Sequence, residues 1–346
     1  MKIGNIKIGD NYPVFVIAEL SANHNQSYDL AVKTIEAAKE AGADAIKLQT
    51  YTPDTITINC DNDYFKLKSG LWAGQTLYNL YEKAYTPWEW HPKLKAVADK
   101  LGLILFSTPF DNSSVDFLES INVPAYKIAG FEIEDLPLIK YVASKKKPII
   151  ISTGIAELSD IDNAVKACLS VGNDQIALLK CTSSYPAPLE IQNLLTIRNM
   201  RKTFDCVVGL SDHTLGSTAP ITAVALGAKI IEKHFIIDRS TGGPDSEFSM
   251  EFSDFKTMVT SIREVEACLG KVSYELTDSL KEAKKYGRSL FIVADIEVGE
   301  EFTRENIRSI RPGHGISPSY IEQVLGKQAT VSIKKGTPLE FKHVKF

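Results

Sequence analysis

Eight short apolar runs punctuate residues 1–245, and no other feature limits the fold so strongly. They lie at 14–18, 45–48, 103–106, 125–129, 148–151, 176–179, 207–210 and 229–231. Each ends in polar side chains, followed by a loop and a stretch of helical period such as LAVKTIEAAKEAGA or ELSDIDNAVKACLSVG. Apolar residues there recur at three and four positions, the spacing of one helix face. Gly42, Gly102 and Gly227 stand where such helices should stop. A strand that is apolar without alternation is buried on both faces, which implies a parallel sheet covered by helices. Eight such units in about 250 residues predict a (β/α)8 barrel. A doubly wound sheet is the alternative, but it usually carries a glycine-rich phosphate loop after its first strand. Here the first run leads into AELSANHN, which has no glycine.

The chain of 346 residues is long enough for one large domain and a small one. Hydrophobic residues make up 44% and charged residues 24%, which excludes a disordered or collagen-like chain. A net charge of −4 disfavours a general nucleic-acid binder, which needs a basic face. The start, MKIGNIKIGDNYPVFVIAEL, lacks the pattern of a secretory signal, and no apolar run is long enough to span a membrane. The five cysteines, Cys60, Cys168, Cys181, Cys206 and Cys268, are odd in number and scattered, with no C-x-x-C. That pattern predicts reduced thiols and a cytoplasmic protein, and none of the five has the setting of a nucleophile.

Barrel enzymes place their chemistry at the C-terminal ends of the strands. In order, these ends carry Glu19; Lys47 and Gln49; Ser107 and Thr108; Lys127, with Glu132 beyond; Ser152 and Thr153; Lys180, Thr182 and Ser183; Ser211, Asp212 and His213; Glu232 and His234. A ring of this kind is expected to be functional rather than merely soluble. His213 and His234 end neighbouring runs and are placed to share a Mn²⁺-, Co²⁺- or Fe²⁺-type ion that keeps positions open for water and substrate. A structural zinc site would need four protein ligands, and no cysteine is expected beside the pair. The plain alternative is one general base and one core histidine. Lys47 and Lys127 imply an anionic ligand, a Schiff base, or pairing with a nearby glutamate. With the hydroxyls of Ser152, Ser183 and Ser211 they would cradle a phosphate or carboxylate. Glu19 and Glu132 are candidates to position water or take a proton. Glu232, two residues before His234, faces the same way along a strand. Asp245, in GGPDSEF, is placed to meet substrate hydroxyls.

These motifs have a familiar order. AELSANHN, IKLQTYTPD, FSTPFD, AYKIAGFE, IISTGI, KCTSSYP, GLSDHT, IEKHF and GPDSEFSM precede a tail reading RSLFIVADIEVGEEFTRENIRSIRPGHGISPSY. Over essentially its whole length the chain resembles the sialic acid synthase family, the bacterial nonulosonic acid synthases. The SANH after Glu19, the insert GLWAGQTLYNLYEKAYTPWEW and DSEFSM resemble the pseudaminic acid branch more than the legionaminic or N-acetylneuraminic ones. The insert, residues 51–86, is a long second βα loop, and Trp72, Trp88 and Trp90 are more often rim packing than sugar platforms.

The resemblance implies condensation of phosphoenolpyruvate with a 6-deoxy-diacetamido-hexose, with phosphate lost by C–O cleavage. It makes His213 and His234 the metal ligands, with Mn²⁺ the first choice and Mg²⁺ or Co²⁺ as alternatives. It makes Glu132 the residue that activates water, Glu19 a second carboxylate at the substrate, and Lys127 part of the catalytic set. Phosphate and carboxylate fall to Lys47, Thr108, Lys127, Ser152, Ser183 and Ser211, and the sugar to Gln49, Tyr185 and Asp245. Two departures stand out: Gly130 where many relatives have serine, and Ser183 where some have asparagine.

Domains are expected at 1–270 (the barrel), 271–287 (a charged linker) and 288–346. In the last, glycines punctuate short strands, resembling the antifreeze-protein-like (SAF) domain that ends this family. In the family that domain crosses to the partner's barrel, so the resemblance implies a domain-swapped homodimer in which Arg311 meets the substrate's N-acetyl group. Two other readings stay open: a class I aldolase using Lys127 or Lys180, and a non-catalytic sugar-binding barrel.

Overall fold

The computed structural model describes residues 1–346 and turns the eight apolar runs into eight parallel strands. These are β1 (Phe15–Glu19), β2 (Ala45–Thr50), β3 (Ile104–Pro109), β4 (Tyr126–Ile128), β5 (Ile149–Ser152), β6 (Ile176–Cys181), β7 (Val207–Asp212) and β8 (Ile230–Ile236). Each pairs with the next in sequence, and β8 pairs with β1 from Ile230↔Phe15 to His234↔Glu19, which closes the barrel. The doubly wound alternative is thereby excluded.

Eight helices surround the sheet: α1 (Tyr28–Glu40), α2 (His91–Leu101), α3 (Asn112–Ser120), α4 (Leu136–Ser144), α5 (Leu158–Ser170), α6 (Thr196–Phe204), α7 (Thr218–Ala225) and α8 (Phe252–Leu269). Local chemistry sets their starts. Ser27 accepts the Leu30 amide at α1, Asp111 those of Ser113 and Ser114 at α3, and Asp135 that of Leu138 at α4. Gly102 ends α2 in the left-handed region at φ 65°, while Gly42 and Gly227 take positive φ just past α1 and α7.

Alternation along the strands divides the core. One set, including Val16, Ile46, Leu105, Ile128, Ile151, Leu178 and Ile231, packs under the helices. The other, including Phe15, Ile17, Ala45, Phe106, Ile150, Leu179 and Ile230, fills the barrel interior together with Ile3 and Ile8 from the N-terminal hairpin. The interior leaves no room at Gly209, where a Cβ would overlap the Ile230 carbonyl oxygen. Continuing the inward parity past this apolar plug brings Glu19, Lys47, Lys127, Ser152, Ser211, Glu232 and His234 to the C-terminal mouth.

The insert between β2 and α2 holds short helices at Pro53–Ile56 and Leu77–Ala84. The chain divides into two compact units, Met1–Gly270 and Lys271–Phe346. In the second, Ser289–Ile292 pairs antiparallel with Ile307–Ile310, and Gln328–Ala329 with Val344–Lys345, around Leu290, Ile292, Phe302, Ile307 and Leu339. Within the expected linker, Asp278–Ala283 forms a short helix capped by Thr277. No helix is long and apolar enough to cross a membrane.

Candidate active site

Four charged groups form one ion-pair cluster in the mouth. Lys127 Nζ donates to Glu232 Oε1 at 2.7 Å, and Lys47 Nζ lies 3.6 Å from that oxygen. Lys47 also pairs with Glu19 and donates to Thr108 Oγ1 at 3.2 Å. Ser211 Oγ donates to Glu232 Oε1 at 3.3 Å. Both lysines therefore have the glutamate partners that a purely structural role would need, and the two positive and two negative charges balance. The set is nevertheless incomplete. Glu19 Oε1, Glu132 Oε2, Ser152 Oγ, Glu232 Oε2 and His234 Nδ1 are buried without a hydrogen-bond partner. Folded chains rarely leave such atoms unpaired unless water or a ligand satisfies them.

Environment separates the carboxylates. Burial pushes Glu19 up to about 7 against the attraction of Lys47, and burial likewise pushes Glu132 up to about 7. Burial acts on Glu232 in the same sense, but Lys127 and Lys47 outweigh it and hold that carboxyl below its usual range. Burial also holds Lys127 below the ordinary lysine range.

His213 and His234 have ring centroids 5.4 Å apart. His213 Nδ1 pairs with the Thr182 carbonyl at 3.1 Å, which assigns a proton to that nitrogen and leaves Nε2 as a donor for a cation. His234 is kept neutral, mainly by burial, with His213 and the lysines adding to the effect. A neutral ring with an unpartnered nitrogen suits a metal ligand. No third histidine, cysteine, aspartate or glutamate completes a ligand set. The pair therefore fits an ion that draws its remaining ligands from water and substrate, and does not fit structural zinc. Asp245 Oδ2 accepts from Ser21 Oγ and lies 3.8 Å from His234 Nδ1. Tyr185 packs 4.4 Å from the His213 ring. Gln49 stands opposite Thr108 in the β2–β3 register, one inward step beyond Lys47.

Parity corrects several sequence expectations. Ser107 faces the helices, where Thr50 Oγ1 links it to His91 Nε2. Thr153 Oγ1 donates to the Leu179 carbonyl. Asp212 pairs with Lys233 behind the mouth, and Lys180 Nζ bends to the Cys181 carbonyl at 2.6 Å. A cysteine does stand beside the histidines, contrary to expectation: Cys181 Sγ is 3.9 Å from His213 Nδ1. It shares the inward parity of Ala177 and Leu179, a signal present in the sequence.

The two departures are sterically linked. A Cβ at Gly130 would lie 3.1 Å from both Gly154 Cα and Ser183 Oγ, and one at Gly154 would overlap Ser183 Oγ. Ser183 thus directs its hydroxyl into the space that a serine at position 130 would need. Arg311 is exposed in the second unit and forms no salt bridge there.

A closed parallel barrel with this incomplete polar ring at its C-terminal mouth has the architecture of an enzyme. The chain belongs to the NeuB family, whose model matches residues 34–274, and a SAF domain matches residues 287–345. It is 45% identical over 340 residues to the pseudaminic acid synthase of Campylobacter jejuni, covering 98% of each chain. It is 46% identical over 328 residues to that of Helicobacter pylori, covering 94% of this chain and 96% of the other. Among solved structures, the N-acetylneuraminic acid synthetase of Leptospira borgpetersenii, in complex with citrate, matches with a TM-score of 0.74 at 34% identity, over 83% of this chain and 95% of that one.

Proposed function

We propose that this chain is a pseudaminic acid synthase, condensing phosphoenolpyruvate with 2,4-diacetamido-2,4,6-trideoxy-altrose and water to give pseudaminic acid and phosphate. The observation that carries the reading is the set of buried, unpartnered polar atoms around two ammonium groups in one chamber. The likeness to pseudaminic acid synthases supports the choice of acceptor.

The enol's C3 attacks the sugar aldehyde carbon, water adds at C2, and the C2–O bond breaks to release phosphate. Lys47 and Lys127 face the anionic groups of phosphoenolpyruvate, joined by the hydroxyls of Thr108, Ser152, Ser183 and Ser211. Glu132, with a free oxygen and a raised pKa, takes the proton of the water that adds at C2. Glu19 exchanges a proton beside Lys47. Gln49, Tyr185 and Asp245 hold the sugar. His213 and His234 hold a divalent cation, Mn²⁺ by preference, which when bound supplies Lewis-acid polarisation of the aldehyde. Arg311 serves the barrel of a second copy in a domain-swapped homodimer. A cytoplasmic location, expected from five unpaired cysteines, belongs to the same reading.

A class I aldolase is disfavoured, because Glu232 engages Lys127 and Lys180 has outward parity. The test is phosphate release from phosphoenolpyruvate, with and without Mn²⁺, using the diacetamido-altrose, the diacetamido-mannose and N-acetylmannosamine. Release with the altrose alone is expected. Release with only another acceptor overturns the product assignment. Borohydride trapping of pyruvate would instead favour the aldolase.

A further inference from the structure

The chain's three tryptophans lie within residues 72–90, and the structure separates their roles. Trp88 stacks on Phe117 with centroids 4.8 Å apart, and its indole N–H donates to the Tyr51 carbonyl. Trp90 packs edge-on against His24 and Tyr28. Both are packing residues of the rim. Trp72 differs. It stands on the insert between the exposed Leu71 and Ala73, yet its N–H donates at 2.8 Å to the carbonyl of Pro244, the residue before Asp245. Its ring lies 6.0 Å from Tyr185.

Tyr185, in turn, packs 4.4 Å from His213 and 5.0 Å from Phe248, and Phe248 packs 4.8 Å from His234. An aromatic arc therefore runs from the histidine pair out to Trp72. Trp72 also lines a cleft of about 570 Å³ with Leu71, Gln75, Leu80 and Pro244. The indole thus borders that cleft and, through Tyr185, the aromatic arc.

We infer that Trp72 is the outer wall of the acceptor pocket and selects a sugar whose far end is deoxygenated. This rests on the synthase reading above. An acceptor with its aldehyde at the histidine pair extends its remaining carbons along the arc. At Trp72 the wall is indole carbon, because its N–H is already given to the Pro244 carbonyl. A C6 methyl gains apolar contact on this surface, whereas a C6 hydroxyl loses water without a partner. The wall therefore favours 6-deoxy over 6-hydroxy sugars, by the modest factor an apolar pocket can provide.

The experiment compares wild type, Trp72→Ala and Trp72→Phe with the diacetamido-altrose and its 6-hydroxy analogue, following phosphate release. Trp72→Ala is expected to raise the acceptor KM about tenfold and shrink the 6-deoxy preference in kcat/KM by a similar factor. The phosphoenolpyruvate KM should stay within about twofold, since the wall touches only the acceptor. Trp72→Phe keeps a ring but not the N–H, and should retain most of the preference. Equal loss in Trp72→Phe and Trp72→Ala would show that the bond to Pro244 acts, not the wall, and would overturn the inference. So would an unchanged preference in Trp72→Ala, or a matching rise in both KM values. Thermal melting checks that each variant folds. A wild type that turns over no 6-deoxy acceptor overturns instead the pseudaminic acid assignment on which the inference rests.

Discussion

Replacing Lys233 by Met tests how the two histidine-bearing strands are held. Lys233 and Asp212 pair behind the mouth with side chains only 1% and 0% exposed. Lys233 Nζ also donates to the Thr214 carbonyl at 2.6 Å, while Asp212 accepts the Thr214 amide at 3.0 Å and its hydroxyl at 3.1 Å. Each member adjoins a histidine in sequence, Asp212 before His213 and Lys233 before His234. In Lys233→Met the hydrocarbon stem is largely kept, but the Asp212 carboxylate is left buried and uncompensated. Removing one partner of a buried pair costs about 3–5 kcal/mol. For a barrel of this size that lowers the unfolding midpoint by about 6–20 °C. All three tryptophans lie in the barrel unit, so urea or thermal unfolding followed by tryptophan fluorescence reads that unit alone. Asp212→Asn added to Lys233→Met removes the stranded charge while keeping an acceptor for the Thr214 amide, and should recover most of the loss. A single variant that loses less than about 1 kcal/mol would refute the buried-charge argument. So would a double variant as unstable as the single, which would locate the loss in packing.

Three further outcomes follow from the mouth. A base works deprotonated, so with Glu132 and Glu19 near pKa 7 the kcat/KM of phosphate release should fall as pH drops below about 7; Glu132→Gln should lower kcat by about 10²–10⁴ and remove that group's share of the acid limb. Chelation should stop phosphate release, Mn²⁺ should restore it, and His234→Ala should abolish it with little change in thermal midpoint; an active, metal-stripped His234→Ala would remove the metal assignment. Phosphoenolpyruvate brings negative charge toward Glu19 and Glu132 and raises both further, so its binding near pH 7 should take up protons, seen in calorimetry as an enthalpy that changes with the buffer's ionisation heat and loses that dependence near pH 9.

The barrel was legible because its strands are apolar throughout and its helices are periodic, two patterns that local sequence carries. Which strand-end residues would be polar was legible too. Which way each would point was less so: Ser107, Asp212 and Lys180 stood beside Thr108, Ser211 and Cys181 in the same short motifs, and only the phase of the pleat separates outward from inward. That phase becomes reliable once the interior plug of Phe15, Ala45, Phe106, Ile150 and Leu179 anchors it. Cys181 was passed over as a lone cysteine, although its parity with Leu179 marked it as inward. Trp72 could not be told from Trp88 and Trp90, because the insert has no period and its indole partner, Pro244, is 172 residues away.

The charge arrangement explains how the mouth can be both stably folded and ready for an anion. Two bare lysines in a barrel would repel each other and be costly to bury, so the ligand-free site needs counter-ions. Two equally firm glutamates would solve that problem and leave nothing for a ligand to bind. Here the glutamates are unequal. Glu232 meets Lys127, Lys47 and Ser211 through one oxygen and is held in its charged form by the lysines, so it remains a fixed counter-ion. Glu19 faces Lys47 and the repulsion of Glu232, and burial has already raised it to about 7, so one proton neutralises it. An entering anion can therefore take over Lys47 while Glu19 takes a proton, and Lys127 keeps Glu232 while its remaining N–H donors are free to turn to the ligand. The inequality arises from position: Glu232 on β8 ion-pairs with both lysines, whereas Glu19 on β1 ion-pairs with Lys47 alone.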